Sequence, residues 1–404
     1  TVEELVAIAR LMAPRVSHIS ISGGNNSGVF DGVRTAYIGP WYRQPAYNAE
    51  AAFAVKAAVD VPVIIAGRIA DAALAEGLLA DGAADAIGMV RALIADPDLP
   101  NKARSGQTDR IRMCLGLSEC HHAGRHLTHV TCAVNAAAGR EAELAIVPAE
   151  KPGTVVVIGA GPAGLEAARV AALRGHKVFL CDERRDLGGT PRLLSADPNR
   201  RNLLDHVAFF ETAMPDLDVE LVLGYRVSAD DIAGFEADHV VIATGGAPIR
   251  PDVPGIESDH VFQAVDVLAG AATPSGRVAV VGGNNNHLAG PTAAEYLADK
   301  GHDVTLLSEQ LDFAAGAEDV TRYMLMQRLR QKRVTVRLAA RLAEVRAGGG
   351  VATDLLTHED TPFDADAIVL ACGRSPSLHL IGDALAPRRI MHATVEGARV
   401  GAAL

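Results

Sequence analysis

Two stretches of this chain hold residues whose types and spacing could do chemistry. The first runs from Cys114 to Cys132, CLGLSECHHAGRHLTHVTC, and gathers three of the five cysteines with four histidines. Thiols and imidazoles so spaced could ligate a metal, close a disulfide, or sit inert around a helix end. The second is TVVVIGAGPAGLEAARVAALRGHKVFLCDE, from Thr154 to Glu183. Here Gly159-x-Gly161-x-x-Gly164 follows an apolar strand and opens a helix of small residues, and Asp182 and Glu183 end the next strand. Each part suits a dinucleotide: Gly159 for the tight turn, Gly161 for backbone approach to a pyrophosphate, Gly164 for close helix–strand packing. The helix N-terminus faces the phosphate charge, and an acid about 20 residues on accepts from a ribose hydroxyl. A plain tight turn is the bland alternative, but strand, helix and acid together favour the nucleotide.

The elements that must position these residues are α/β throughout. At 404 residues, two to three domains are expected. A net charge of -11 with no basic block argues against nucleic acid. No apolar run suits a membrane span and no signal peptide opens the sequence. The odd, bunched cysteines fit a reducing, cytoplasmic setting better than a disulfide scaffold.

Residues 1–110 alternate helix and strand. Thr1 and Glu4 have capping-box spacing at the head of a helix. Strands are expected at 17–22, 62–67 and 84–90, with helices at 48–59 and 72–82, which implies parallel strands joined by crossovers. Three parallel strands with open edges are a poor stopping point, so this region reads as the last part of a (β/α)8 barrel. Residues 111–141 form the cysteine segment and 142–153 a linker. The first dinucleotide unit spans 154–265. A second spans 266–366 and carries RVAVVGGNNNHLAGPTAAEYLADKGHDVTLLSE, and 367–404 returns to the first. Counted from Gly282 in the second unit, Asn284 and His287 take the places of the second and third glycines. Ser308, followed by Glu309, stands where the first unit has Asp182.

In this order the motifs resemble one family across nearly the whole chain. They include VPVIIAGRI, IGMVRALIADPDLPNKARSG, CAVNAAAGRE, VVVIGAGPAGLEAARVAALRGHKV, LGGTPRLL, ATGGAPIRPDVPG and IGDALAPRRI. The family is the multidomain flavin enzymes typified by trimethylamine dehydrogenase, 2,4-dienoyl-CoA reductase and N-methylproline demethylase. It joins an old-yellow-enzyme-type FMN barrel to an iron–sulfur segment and two Rossmann-like domains of the glutathione-reductase type. The resemblance implies that the sequence enters the barrel at about its fifth helix, with the residues that act on substrate upstream of Thr1.

The resemblance also implies site residues. Gly67 and Arg68 would hold an FMN phosphate, with Gly88 and Arg91 completing the pocket; from the residues alone, the two arginines read as surface cations. The SGGNN turn at 22–26 would border substrate or be only a polar turn. Gly159, Gly161, Gly164 and Asp182 would hold FAD or ADP, supported by Gly188, Gly189, Thr244, Gly245 and Asp383. Cys114, Cys120 and Cys132 match the first, third and fourth ligands of a 4Fe–4S cluster, with Leu117 at the second. Such a cluster takes four thiolates. Three thiolates with His121 or His122, a Cys3His zinc site, and a lost cluster with buried thiols all stay open. His126 and His129 read as surface or packing residues, and Cys181 and Cys372 as core.

The expected function is a flavin-dependent oxidoreductase in which the cofactors carry the chemistry. The altered second fingerprint favours dehydrogenation or demethylation of an amine, with electrons leaving through the cluster to a protein acceptor. NAD(P)H-driven reduction of an enone or dienoyl thioester is the alternative. A non-catalytic cofactor-binding or electron-transfer module is the reading from another class. Without a redox-active cysteine pair, disulfide reduction is rejected. Homo-oligomers are a family habit with no interface pattern behind it.

Overall fold

The computed structural model describes residues 1–23, 38–125, 128–282, 288–376 and 389–404. The chain divides into two compact units, Thr1–Gly139 and Arg140–Leu404. Among the described residues no helix is long and apolar enough to cross a membrane.

The first unit opens with α1 (Val2–Met12), and the expected capping box is present: the Glu4 amide donates to Thr1 Oγ1 at 3.2 Å. Then come β1 (Ile19–Ile21), α2 (Ala49–Lys56), β2 (Val63–Ala66), α3 (Ala72–Ala80) and β3 (Ala86–Gly88). The strands pair in parallel in the order β1-β2-β3. Val63 and Ile65 point into a core shared with Ala52, Val55 and Leu78 from the crossover helices. Short helices α4 (Arg91–Ala95), α5 (Leu99–Arg104) and α6 (Glu119–Arg125) lead through the cysteine segment.

The second unit begins with β4 (Thr154–Ile158), α7 (Pro162–Leu173), β5 (Lys177–Asp182), α8 (Thr190–Leu194), α9 (Leu203–Asp216), β6 (Glu220–Leu223), α10 (Ala229–Ile232) and β7 (His239–Ile242). Its parallel sheet has the order β6-β5-β4-β7, with the central strand β4 carrying the glycine fingerprint at its end. Next are β8 (Gly246–Pro248), β9 (Val261–Gln263), α11 (Ala264–Leu268), β10 (Arg277–Gly282), α12 (Ala289–Asp299), β11 (Asp303–Ser308), α13 (Asp319–Gln331) and β12 (Thr335–Arg337). A meander of β13 (Ala340–Arg346), β14 (Gly349–Asp354) and β15 (Asp360–Asp364) precedes β16 (Ala367–Ala371), β17 (Arg374–Pro376) and α14 (Ile390–Ala403).

The second parallel sheet runs β12-β11-β10-β16-β9. Strand 367–371 therefore belongs to it, and so does 261–263, although the motif order assigns both to the first dinucleotide unit. The chain returns only after residue 371, where β17 pairs with β8 and α14 lies on α7. That contact is made by glycines: a Cβ on Gly397 would lie 2.2 Å from the Ala163 carbonyl oxygen, and one on Gly401 2.8 Å from that of Ala167. Closely crossing backbones leave no room for side chains between them.

Candidate functional site

In the first unit, the turn after β2 places Gly67 at φ 150° and Arg68 at φ 53°. The left-handed conformation is costly for a non-glycine residue and persists where neighbours impose it. The neighbour here is the loop 39–48, GPWYRQPAYN, which the sequence reading passed over. The Arg68 guanidinium donates through Nη1 to the Arg43 carbonyl. The Arg43 guanidinium lies 4.1 Å above the Tyr47 ring. Asn48, at the head of α2, turns its amide away from capping and donates to the Ala66 carbonyl at 2.6 Å. The available signal was aromatic density: three of the chain's seven Trp and Tyr residues fall between 41 and 47.

At the neighbouring strand end, Gly88 abuts Ala66, and a Cβ there would sit 3.2 Å from that methyl. Arg91 opens α4, and its buried Nη1 has no hydrogen-bond partner among the described residues. A buried guanidinium donor left unsatisfied is costly, and an anion is one group that would satisfy it. Of the two arginines expected at a phosphate, Arg91 has the open buried donor, while Arg68 is engaged with the loop.

The cysteine segment lies next to this arginine. Burial pushes the Cys120 thiol up, its neighbour Cys114 adds to the shift, and Arg91 opposes it. Burial pushes Cys132 up to about 11, the Val134 and Asn135 backbone amides oppose the shift, and both other thiols add to it. The structure thus brings the three cysteines into one electrostatic neighbourhood. All are free thiols. Among the described residues, no three His, Cys, Asp or Glu side chains are grouped to hold a metal ion. With Leu117 at the second family position, the donor set falls short of the four ligands of a closed cluster. His129 is exposed, and His126 lies outside the described residues.

In the second unit the fingerprint is assembled as its spacing predicts. Gly159 has φ 110°, and a Cβ on it would lie 2.3 Å from the Ala243 carbonyl oxygen at the end of β7. A Cβ on Gly164 would lie 1.8 Å from the Gly159 oxygen, so the helix meets the strand backbone to backbone. In front of Gly161 there is open space within 4 Å. Pro162 occupies the first turn of α7 and no side chain caps it, so the helix N-terminus is open toward that space.

Two further groups steady this loop. The Gly188 amide donates to the Ala160 carbonyl at 2.9 Å, and Gly189, at φ 54°, leans on Gly161. Asp182 accepts the Ala160 amide at 2.7 Å and the Arg184 amide at 2.8 Å. A carboxylate has about four acceptor sites, so these bonds leave capacity for a ribose hydroxyl. Thr244 is exposed beside Gly245, which has φ 77° and open space around it. Asp383, Asn284 and His287 lie outside the described residues, as do positions 24–26 of the SGGNN turn.

In the second fingerprint, Gly290 in α12 makes a close approach to β10 that counting from Gly282 does not single out: a Cβ on Gly290 would lie 3.3 Å from the Gly282 Cα. The close helix–strand approach is kept, with eight residues from Gly282 to Gly290 where the first unit has five from Gly159 to Gly164. Ser308 pairs with Gly282 across β10 and β11. Glu309, next to it, holds Arg341 at 3.2 Å. Cys372, expected in the core, lies just past β16 and is half-buried. It donates to the Val281 carbonyl at 3.5 Å, and burial, then Glu309, push its thiol up to about 12.

A three-stranded parallel sheet in one unit and two nucleotide-type parallel sheets in the other give the chain a composite build. Sequence comparison agrees. Residues 153–390 match the pyridine nucleotide-disulphide oxidoreductase family, and residues 31–110 match the NADH:flavin oxidoreductase / NADH oxidase family. The chain belongs to the group that joins these two modules. A metal reductase of Desulforamulus reducens is 36% identical over 399 residues, covering 86% of this chain and 58% of that protein. An N,N-dimethylglycine/sarcosine dehydrogenase of Chromohalobacter salexigens is 36% identical over 325 residues, covering 78% of this chain and 47% of that protein. Among solved structures, a 2-naphthoyl-CoA reductase bound to 2-naphthoyl-CoA superposes with a TM-score of 0.91 at 27% identity. It covers 100% of this chain and 62% of that one. The chain thus spans about half to three-fifths of the length of these relatives.

Proposed function

We propose that this chain is the electron-handling part of a flavin-dependent oxidoreductase acting on a small molecule. FMN, when bound, supplies the two-electron chemistry. The protein's own residues orient it: Gly67 and Gly88 open backbone to its phosphate, Arg91 gives a buried charged donor, and Arg68 shapes the turn. An adenine dinucleotide or ADP is held at Gly159, Gly161 and Gly164, with Asp182 on the ribose and Gly188, Gly189, Thr244, Gly245 and Asp383 around the rest. The observation that carries this reading is the open space before Gly161 at the bare N-terminus of α7.

Amine dehydrogenation or demethylation is the reaction proposed. It is supported by the likeness to the dimethylglycine/sarcosine dehydrogenase and by the lengthened second fingerprint, in which Ser308 replaces the ribose acid. A specific observation favours a second reading, NAD(P)H-driven reduction: Gly290 restores the helix–strand contact on which a nicotinamide nucleotide site depends. Titrating the complete anaerobic protein with an N-methylated amine, and separately with NADH and NADPH, decides between them. Bleaching of the flavin by the amine alone supports dehydrogenation, and rapid bleaching by NAD(P)H establishes the second reading.

Cys114, Cys120 and Cys132 are assigned to the family's iron–sulfur segment in a three-thiolate form. Iron and acid-labile sulfide in the anaerobically purified complete protein test this, and their absence assigns the thiols to packing. A protein electron acceptor belongs to the amine reading alone.

A further inference from the structure

The phosphate turn, the aromatic loop and the cysteine segment meet at one glycine. Gly116, two residues after Cys114, has φ 71°. A Cβ on it would lie 3.0 Å from the Trp41 nitrogen, and 3.3 Å from both the Trp41 Cα and the Arg68 Nε. The Trp41 amide donates to the Gly116 carbonyl at 3.1 Å. Arg68 reaches past this contact to the Arg43 carbonyl, two residues beyond Trp41. The strained Arg68 backbone, the Arg43 carbonyl and the Gly116 backbone are therefore held by a single guanidinium and a single loop. A planar guanidinium orders its partners in a way that an ammonium on a flexible stem does not.

We infer that Arg68 is a positioning residue that ties the Gly67 phosphate turn to the cysteine segment, so that an anion held at the turn is felt at Cys114 and Cys120. The coupling runs through contiguous contacts with little slack. An anion that orders the turn fixes the Arg68 backbone, its guanidinium holds the 41–43 loop, and Trp41 holds Gly116 and with it the segment that starts at Cys114. Ordering a segment shared by two sites couples them energetically, and the coupling is reciprocal. The inference rests on the phosphate reading of the turn, but not on any assignment of substrate or direction of electron flow.

The test uses the 404-residue chain, flavin-free and metal-free, with inorganic phosphate as the probe. Phosphate binding is followed by 31P NMR line broadening, and alkylation of Cys114 and Cys120 by iodoacetamide is followed by mass spectrometry. Trp41, the only tryptophan in the chain, reports on the loop through acrylamide quenching. Saturating phosphate is expected to slow alkylation by at least about fivefold, the low end of measured couplings, and to reduce Trp41 quenching. Arg68→Lys is expected to lose both responses when compared at phosphate concentrations that saturate it by 31P NMR. Gly116→Ala breaks the tie from the other side and is expected to do the same, so the test survives a folding failure of either variant. A residue with only a structural role would change alkylation equally with and without phosphate. Phosphate binding in the unaltered chain with no change at the cysteines overturns the coupling. Absence of phosphate binding overturns the reading of the turn on which it rests.

Discussion

The Asp182 carboxylate accepts the Ala160 amide at 2.7 Å, so the acid that ends β5 also braces the glycine loop at the end of β4. One side chain thus shapes the loop proposed to cradle a pyrophosphate and is the group proposed to meet the ribose. Asp182→Ala is expected to weaken ADP binding by more than about tenfold, since a charge-assisted bond is worth about 1.5–3 kcal/mol. Asp182→Asn should recover part of the loss, because its amide oxygen still accepts from Ala160. Calorimetric titration with ADP checks both.

The two glycine contacts differ in tolerance. At Gly164 an added methyl meets the Gly159 carbonyl at 1.8 Å, and a backbone atom cannot step aside. At Gly290 the nearest atoms are the Gly282 Cα and the Leu306 Cδ1, both at 3.3 Å. Gly164→Ala is expected to cost at least about 3 kcal/mol and abolish ADP binding, and Gly290→Ala about 1 kcal/mol or less. Urea unfolding of both variants, with their ADP titrations, measures the difference.

A partly buried ion pair joins α12 to α13. Glu295, fully buried, accepts from Arg328 Nε, while Arg328 Nη2 donates to Asn199 Oδ1 at 2.7 Å. Removing one partner strands the other, so Arg328→Met should destabilise by about 3–5 kcal/mol. Replacing both, Glu295→Leu with Arg328→Met, should recover most of that cost. Chemical denaturation of the single and double variants tests the pair.

Cys181 is buried in β5, and burial alone pushes its thiol up from the ordinary 9.0 to about 11. The folded chain therefore keeps this proton where the unfolded chain gives it up. The stabilisation is fully present below pH 9 and is lost as pH rises toward 11, on the order of 2–3 kcal/mol in all. Cys181→Ala should flatten the decline over that window. Unfolding midpoints measured from pH 8 to 11 for both proteins provide the check.

How much was legible in advance depended on the range of the interaction. The β4–α7–β5 unit, its three glycines and Asp182 were readable because turn, helix start and acid lie within one short supersecondary unit. The parallel strands of the first unit followed from apolar runs alternating with helix-length segments. Gly290 was not singled out in the second nucleotide unit because the count followed the first fingerprint's spacing. Only the packing of α12 on β10 shows that Gly290 does the work.

By itself, the sequence determined the local geometry: which segments become strands and helices, where the chain turns too tightly for a side chain, and which strand ends present bare amides. Tertiary structure decided what those pieces do together. It placed strands 261–263 and 367–371 in one sheet, set Arg91 beside Cys120, and folded the 39–48 loop over Arg68 and Gly116. The physical reason is that local preferences depend on neighbours a few residues away. Which arginine keeps an open donor, and which is taken up in holding a turn, depends on partners that only the folded chain brings within bonding distance.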